Sequence, residues 1–193
     1  MAIAKKRKKF FDVNIPLIKK ETQAQAYEIE ELDGKIMNYD VTRILRGKSA
    51  LLQLIIKTEN KEAVAKPRQL VVLPCYIRRM IRKGTNYVED SFSTKSKDDS
   101  VRIKPFLITR RKVSRAVRKA LRNKAKEFLI EYAKEKTSEE LFDEIMRNII
   151  QKNLSITLKK IYPLSLCEIR VLKVESPSSQ GSKPEAGLTT DKQ

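Results

Sequence analysis

The residue types that most often perform acid–base and nucleophilic chemistry are scarce in this sequence. It contains no histidine, which excludes serine–histidine and cysteine–histidine nucleophiles, an H-E-x-x-H zinc site and any imidazole base. Its two cysteines, Cys75 and Cys167, are far apart and form no C-x-x-C pair. They therefore indicate neither a disulfide scaffold nor a zinc ribbon, and they are typical of a reducing cytosol.

Carboxylates gathered around Mg²⁺ would be needed by a metal-dependent nuclease. The candidates are Glu28, Glu30, Glu31, Glu89, Asp90, Asp98, Asp99, Glu139, Glu140, Asp143 and Glu144. Most have a simpler explanation, because the pair at 98–99 suits a turn and the last four fall early in a predicted helix, where the helix dipole favours negative charge. We therefore predict no catalytic residue, no metal and no cofactor.

A four-residue segment, Arg46-Gly47-Lys48-Ser49, resembles the end of the phosphate-binding loop G-x-x-x-x-G-K-[ST]. The first glycine of that motif would fall at position 42, which is Thr42. With only 5 glycines in the chain, the backbone cradle that such a loop forms around phosphates cannot be built there. We interpret the match as a coincidence.

The chemistry that remains is the binding of phosphate by basic side chains. The chain has 42 Lys and Arg against 24 Asp and Glu, a formal net charge of +18. Self-repulsion at that charge destabilises a compact state, so a polyanionic partner that neutralises it explains the excess best, and nucleic acid is the first candidate. The alternatives are a basic protein without a ligand and a protein that binds an anionic membrane surface.

Three groups of bases could supply donors for phosphate oxygens. They are an N-terminal arm, a patch at the end of a predicted helix, and the face of a long predicted helix. The predicted RNA-binding residues are Lys5, Lys6, Arg7, Lys8, Lys9, Arg78, Arg79, Arg82, Lys83, Arg110, Arg111, Lys112, Arg115, Arg118, Lys119 and Arg122. The third group is the most specific, since a solvated helix usually mixes acids with its bases; the alternative for each group is a solvated surface.

Turn signals and apolar periodicity predict the elements of the first half. Residues 35–42 follow the turn signal Asp33-Gly34 and form a predicted strand. The apolar run 50–58 predicts a central strand buried on both faces, and 60–68 predicts a charged loop. Phe10 and Phe11 either stack on RNA bases or begin the core.

Helices dominate the second half. Residues 73–83 predict a helix with proline in its first turn, and 87–94 with 101–108 predict a β-hairpin. Residues 109–136 predict the longest helix: Val113, Val117, Leu121 and Phe128 are assigned to the core, and Arg111, Arg115, Arg118 and Arg122 to one exposed row.

The remaining signals close the domain. Thr137-Ser138-Glu139-Glu140 is a capping box that opens a further helix, and a short helix near 154–161 and a strand at 165–174 follow. The sequence thus predicts a basic arm over 1–9, an α+β domain over 10–174 and a disordered tail over 175–193. The predicted sheet is mostly antiparallel or a partly closed barrel, packed with the long basic helix and shorter helices.

Several segments resemble one known family. They are Phe11-Asp12-Val13-Asn14-Ile15-Pro16 after the basic arm, Asp33-Gly34-Lys35 before a strand, Val101-Arg102-Ile103-Lys104-Pro105 leading to Arg110-Arg111, and Ile161-Tyr162-Pro163-Leu164 with Glu168-Ile169-Arg170-Val171. The family is the archaeal and eukaryotic small-subunit ribosomal protein family S-three-a-e, or eukaryotic-type S-one. The chain departs from it at Phe10-Phe11, where a tryptophan is frequent, and at 69–72, where a histidine–glycine pair is frequent.

The resemblance implies a cytoplasmic structural constituent of the small ribosomal subunit. It places the protein on the platform, near the mRNA exit and the 3′ end of the small-subunit rRNA, and the chain's length resembles archaeal members. The implied partners are that rRNA and neighbouring small-subunit proteins, with mRNA near its exit as a further candidate and no membrane. The rival hypotheses are an enzyme acting on RNA, and a free-standing RNA chaperone or DNA-compacting protein.

Overall fold

A sheet of nine strands and four α-helices make up the part of the chain that the computed structural model describes, residues 7–59 and 62–175. The strands are β1 (Lys9–Ile15), β2 (Lys20–Ala26), β3 (Ile36–Asp40), β4 (Ala50–Glu59), β5 (Glu62–Val72), β6 (Tyr87–Glu89), β7 (Phe92–Lys95), β8 (Ser100–Thr109) and β9 (Leu164–Glu175). The helices are α1 (Pro74–Met80), α2 (Arg115–Lys134), α3 (Ser138–Met146) and α4 (Ile149–Lys159).

Strand β5 is the branch point of the sheet. One of its edges pairs with β4 along most of its length, and β4 in turn pairs with β3. Its other edge is shared: β1 pairs with it in parallel near Ala63, and β9 pairs with it antiparallel near Val71. Strand β8 joins β9, and β6 and β7 both pair with β8. The predicted α+β class is therefore right, and so is a mostly antiparallel sheet, because only the pairing of β1 with β5 is parallel in the described residues. The sheet is mixed and open, so the alternative of a partly closed barrel is wrong.

Strands β4 and β5 correct two predictions about residues 50–68. Leu52, Leu54 and Ile56 are at most 1% exposed, whereas the residues between them are half-buried, so β4 is not fully buried on both faces. Residues 62–68 of the predicted charged loop belong to strand β5, because Ala63 and Ala65 recur with the strand period of two and lie in the core. That apolar alternation outweighs the charges, which lie on the other face. Residues 60 and 61 of the predicted loop lie outside the described residues.

The helices cover one face of the sheet around β9. Helix α4 contacts β9, α2 contacts β6 and β7, and α3 contacts β5 and β9. Helix α2 packs through Leu121, Ala125, Leu129 and Ala133, which are at most 2% exposed and recur every four residues, so they form one apolar stripe. The predicted core residues Val117 and Phe128 are half-buried and pack against the core beside this stripe. Val113, also predicted to be in the core, precedes the helix and is half-buried.

The boundaries of α2 differ from the predicted 109–136. Strand β8 continues through Thr109, which pairs with Leu164. The helix begins only after Ser114, whose hydroxyl accepts a hydrogen bond from Val117 N–H at 3.4 Å, the geometry of an N-cap. The capping box at Thr137 and the hairpin of β7 and β8 are confirmed. Helix α4 begins five residues earlier than the predicted 154–161.

Candidate nucleic-acid interface

The three predicted basic groups occupy different places in the fold. In the arm, Lys5 and Lys6 lie outside the described residues, as does most of the predicted C-terminal tail. Arg7 and Lys8 precede β1 and Lys9 is its first residue, so the strand begins inside the predicted arm. Lys8 Nζ lies 5.7 Å from the centre of the Tyr27 ring, a distance suited to a cation–π contact.

The second group straddles the end of α1. Arg78 and Arg79 lie on the helix, which ends at Met80 rather than at the predicted 83. Arg82 and Lys83 follow it in a turn, where Gly84 has φ 83°, a conformation that glycine adopts without steric cost. All four bases are exposed.

The start of α2 divides the third group into bases that precede the helix and bases that lie on it. Arg110, Arg111 and Lys112 lie in the connection between β8 and α2, so Arg111 is not part of the predicted row along the helix. Two hydrogen bonds fix this connection: Thr109 Oγ1 donates to the Arg111 carbonyl at 2.7 Å, and Val113 N–H donates to Asn86 Oδ1 at 2.9 Å. The three bases therefore project from an ordered backbone.

Helix α2 carries the rest of that group. Arg115, Lys119 and Arg122 are exposed and share one face at spacings of four and three residues. Arg118 is half-buried, and its Nε is shielded from solvent without a hydrogen-bond partner among the described residues. No acid lies in the first turn of the helix, so the positive helix N-terminus and these bases add their charges.

Two further bases join Arg122 that the sequence reasoning missed. Lys104 of β8 and Arg170 of β9 line the same surface pocket as Arg122, with a volume of about 480 Å³. Arg170 also contacts Glu89 at 3.4 Å. The alternation Arg102, Ile103, Lys104 in β8 could have identified Lys104 as outward-facing, but the position of Arg170 depends on how β8 and β9 pair.

Basic residues divide into paired and unpaired ones. The predicted RNA-binding residues that the structure describes form no ion pair with any carboxylate of the described chain, and all except Arg118 are exposed. Other bases are paired, among them Lys48 with Glu168 at 2.5 Å, Arg102 with Glu175 at 2.8 Å, and Lys136 with Glu144. The predicted surfaces therefore carry charge that no carboxylate in residues 7–59 and 62–175 neutralises.

The phosphate-loop resemblance at 46–49 has a structural explanation. Lys48 does not point to an open phosphate site, because its ammonium donates to Asn148 Oδ1 at 2.6 Å and to Glu168 Oε1. Together these side chains connect the segment before β4 with the α3–α4 junction and β9.

The acids, the cysteines and the helices of the described residues bear on the other candidate chemistries. No group of three or more acids and cysteines there could hold a metal ion. Burial, followed by the negative charge of Glu168, raises the pKa of the Cys167 thiol to about 12, so it is not an activated nucleophile. No helix in the described ranges is both long and apolar enough to cross a membrane.

The aromatic pair at the start of the domain is divided between its two predicted roles. Phe11 is half-buried and packs against the core. Phe10 on the opposite face of β1 is 63% exposed, and it is the member of the pair whose ring is free for stacking.

The sequence is similar to a family of ribosomal proteins and to several of its members. Residues 4–177 match the model of the ribosomal S3Ae family. A Nanoarchaeum equitans protein named small ribosomal subunit protein eS1 is 28% identical over 179 residues, which cover 88% of this chain and 90% of that protein. A Pyrobaculum aerophilum protein of the same name is 33% identical over 138 residues, covering 70% of this chain and 62% of the relative.

Proposed function

This chain belongs to the ribosomal S3Ae family, and we propose that it is a structural constituent of the cytoplasmic small ribosomal subunit whose basic surface binds small-subunit rRNA. The family is one of ribosomal structural proteins rather than of enzymes. The relatives named small ribosomal subunit protein eS1 support the subunit assignment. The platform position near the mRNA exit and the rRNA 3′ end is part of the proposal and rests on the family resemblance.

The observation that carries the proposal is the separation of paired from unpaired bases. Bases that connect elements of the fold have carboxylate partners. The exposed bases at the start of β1, around α1 and on the first half of α2 (Arg115, Lys119 and Arg122) have none in the described residues, whereas Lys124 further along α2 pairs with Glu127. RNA phosphates would supply the missing negative charge, and each neutralised phosphate releases a counterion.

In this proposal the protein recognises the phosphate backbone and the shape of the RNA. The unpaired bases around α1, those on the first half of α2 and Lys104 of β8 come from several elements, so they define a spaced set of charges and not a linear motif. Such a set fits the phosphates of folded RNA better than the edges of single-stranded bases.

The proposal is tested by reversing charge on the exposed face of α2. The variant Arg115→Glu/Lys119→Glu/Arg122→Glu removes three candidate phosphate contacts. The slope of log affinity against log salt for an rRNA fragment should become shallower by about 2 to 3, at roughly 0.7–0.9 per phosphate. The matched control Lys35→Glu/Lys57→Glu/Lys160→Glu changes net charge equally at exposed positions outside the three basic groups and should alter the slope less.

Sucrose-gradient sedimentation of native extract provides the second readout. The wild-type protein should co-sediment stoichiometrically with small subunits, and the α2 variant should be depleted from them while its circular dichroism is unchanged. A folded α2 variant with wild-type affinity and sedimentation would remove this helix from the interface. A wild-type protein found only in free fractions would refute the ribosomal role.

A further inference from the structure

A second basic site lies outside all the predicted groups. It is a cleft of about 630 Å³ where three connections meet: the β1–β2 turn at Lys19, the β3–β4 connection at Arg46, and the α3–α4 junction at Asn148. We call it the Arg46 cleft. A separate pocket of about 360 Å³ also has Arg46 and Asn148 in its lining, together with Tyr76 and Arg79.

The backbone of the Arg46 cleft is unusual. Lys19, Arg46 and Asn148 have φ of 55°, 54° and 61°, and they are the non-glycine residues in the left-handed region among those the structure describes. Side chains rarely adopt this conformation except for asparagine and aspartate. All three line the same cleft. Backbone conformations of this kind cluster at functional sites, and here they direct two basic side chains to one rim.

The rim carries charge that lacks a partner. Lys19, Lys20, Arg46 and Lys152 are exposed, and none forms an ion pair with a carboxylate of residues 7–59 or 62–175. The acid on the rim, Asp143, is already bound to Arg147 Nε at 3.0 Å. A ligand with several negative charges therefore complements this rim.

The apolar side chains of the cleft favour an acidic peptide over a nucleic acid as the anionic partner. The apolar side chains that line the cleft are aliphatic, including Leu17, Ile18, Ile44 and Met146, and none of the described residues that line it is aromatic. A nucleobase here would have no ring to stack on and would lose hydrogen bonds from its polar edge. A leucine or isoleucine side chain of a peptide needs neither a stacking ring nor hydrogen bonds.

From the aliphatic floor and the four unpaired cations we propose that the Arg46 cleft binds an acidic peptide segment of a neighbouring protein. One or more apolar side chains of that segment lie on the floor near Ile44 and Met146. Its carboxylates pair with Lys19, Lys20, Arg46 and Lys152. This partner is distinct from the RNA bound by α2, and the site goes beyond the proposed function.

The test uses the full chain and synthetic probes. The probe is a fluorescent peptide alternating glutamate with leucine. One control peptide has serine in place of leucine, one has lysine in place of glutamate, and an oligouridine RNA matches the probe's negative charge. Binding is measured by fluorescence anisotropy. Of the three peptides, the glutamate–leucine peptide should bind most tightly, because only it has both the apolar side chains and the carboxylates that the cleft would bind.

Two cleft variants and one matched control locate the site. Arg46→Glu/Lys152→Glu should weaken the glutamate–leucine peptide by at least about tenfold, or about 1.4 kcal/mol. Arg46→Gly/Lys152→Ala should also weaken it, and since glycine accepts the left-handed conformation of residue 46, this variant has no folding penalty at that position. Arg115→Glu/Lys119→Glu on α2 changes the charge equally and should leave peptide affinity unchanged.

Three results would overturn the inference. They are wild-type peptide affinity in both cleft variants, equally tight binding of the serine peptide, and loss of oligouridine affinity but not of peptide affinity in the cleft variants, which would assign the site to RNA. The proposed rRNA interface fails separately, through an α2 variant that retains rRNA affinity.

Discussion

Lys48 provides a quantitative test of how the fold uses a charged residue in its interior. Its side chain is 23% exposed and that of Glu168 is 10% exposed. The Lys48 ammonium contacts Glu168 at 2.5 Å and Asn148 at 2.6 Å. The substitution Lys48→Met keeps most of the aliphatic stem and removes the charge, which leaves the Glu168 carboxylate shielded and without its partner.

The expected loss of stability follows from that burial. Removing one member of a buried ion pair costs about 3 to 5 kcal/mol, and we expect about 3 kcal/mol because about a quarter of the Lys48 side chain reaches solvent. For a domain of this size, 1 kcal/mol shifts the melting temperature by about 2 to 4 °C. Lys48→Met should therefore melt about 6 to 12 °C below the wild type.

A double-mutant cycle separates the pair from the packing around it. Lys48→Met/Glu168→Leu removes both charges and should be closer to the wild type than Lys48→Met alone, since no isolated carboxylate remains. Urea denaturation followed by circular dichroism measures each corner of the cycle. A Lys48→Met variant within about 0.5 kcal/mol of the wild type would show that the pair behaves as a surface contact. A sharp fall in rRNA affinity at unchanged stability would instead make Lys48 a phosphate ligand.

Three further predictions concern the core, a helix cap and the arm. Leu121→Asp should unfold the protein in a circular dichroism melt, because a carboxylate would be buried at a position that is 0% exposed; Leu121→Ala should cost about 3 kcal/mol and remain folded. Thr137→Ala should lower the free energy of unfolding by about 1 kcal/mol. The backbone N–H of Thr137 donates a hydrogen bond to the Glu140 carboxylate and lowers the pKa of Glu140 from 4.5. The stability that this carboxylate contributes is therefore present above pH 4.5 and is lost as the pH falls through the lowered pKa. In an acid titration, Glu140→Gln should lack this pH-dependent part of the free energy of unfolding. Replacing Lys5, Lys6, Arg7 and Lys8 by alanine should weaken rRNA binding in a filter assay while the melting temperature stays within about 2 °C, since surface substitutions cost little.

The sequence predicted elements best where one periodicity acted alone. The capping box at Thr137 depends on local spacing, and it appears in the structure. The apolar stripe of α2 was predicted only in part: Leu121 is buried, whereas Val113, Val117 and Phe128, also assigned to the core, are half-buried. Charge misled the prediction at 60–68, because the pairing of β5 with β4 and the burial of Ala63 and Ala65 outweigh local polarity. The start of α2 was misplaced because β8 remains paired with β9 through Thr109, an interaction between residues far apart in sequence.

The candidate sites also divide into those that local sequence patterns predict and those that form only where distant segments meet. Contiguous bases such as those of α2 can be found by reading along the chain. The pocket at Lys104, Arg122 and Arg170 forms only because β8, α2 and β9 meet. The Arg46 cleft combines three separate connections, and its signal is a coincidence of backbone conformation and charge that no linear pattern contains.

The distribution of ion pairs explains how a chain with a charge of +18 can fold and still retain a large binding potential. Carboxylates occupy junctions: Glu168 joins β9 to the segment before β4, Glu144 joins α3 to the end of α2, and Glu89 joins β6 to β9. Each acid placed in this way neutralises a base whose position the fold requires. The uncompensated bases then lie at the periphery, where solvent and salt screen their mutual repulsion. Repulsion is therefore least costly where a polyanion can reach the bases, and binding RNA removes it.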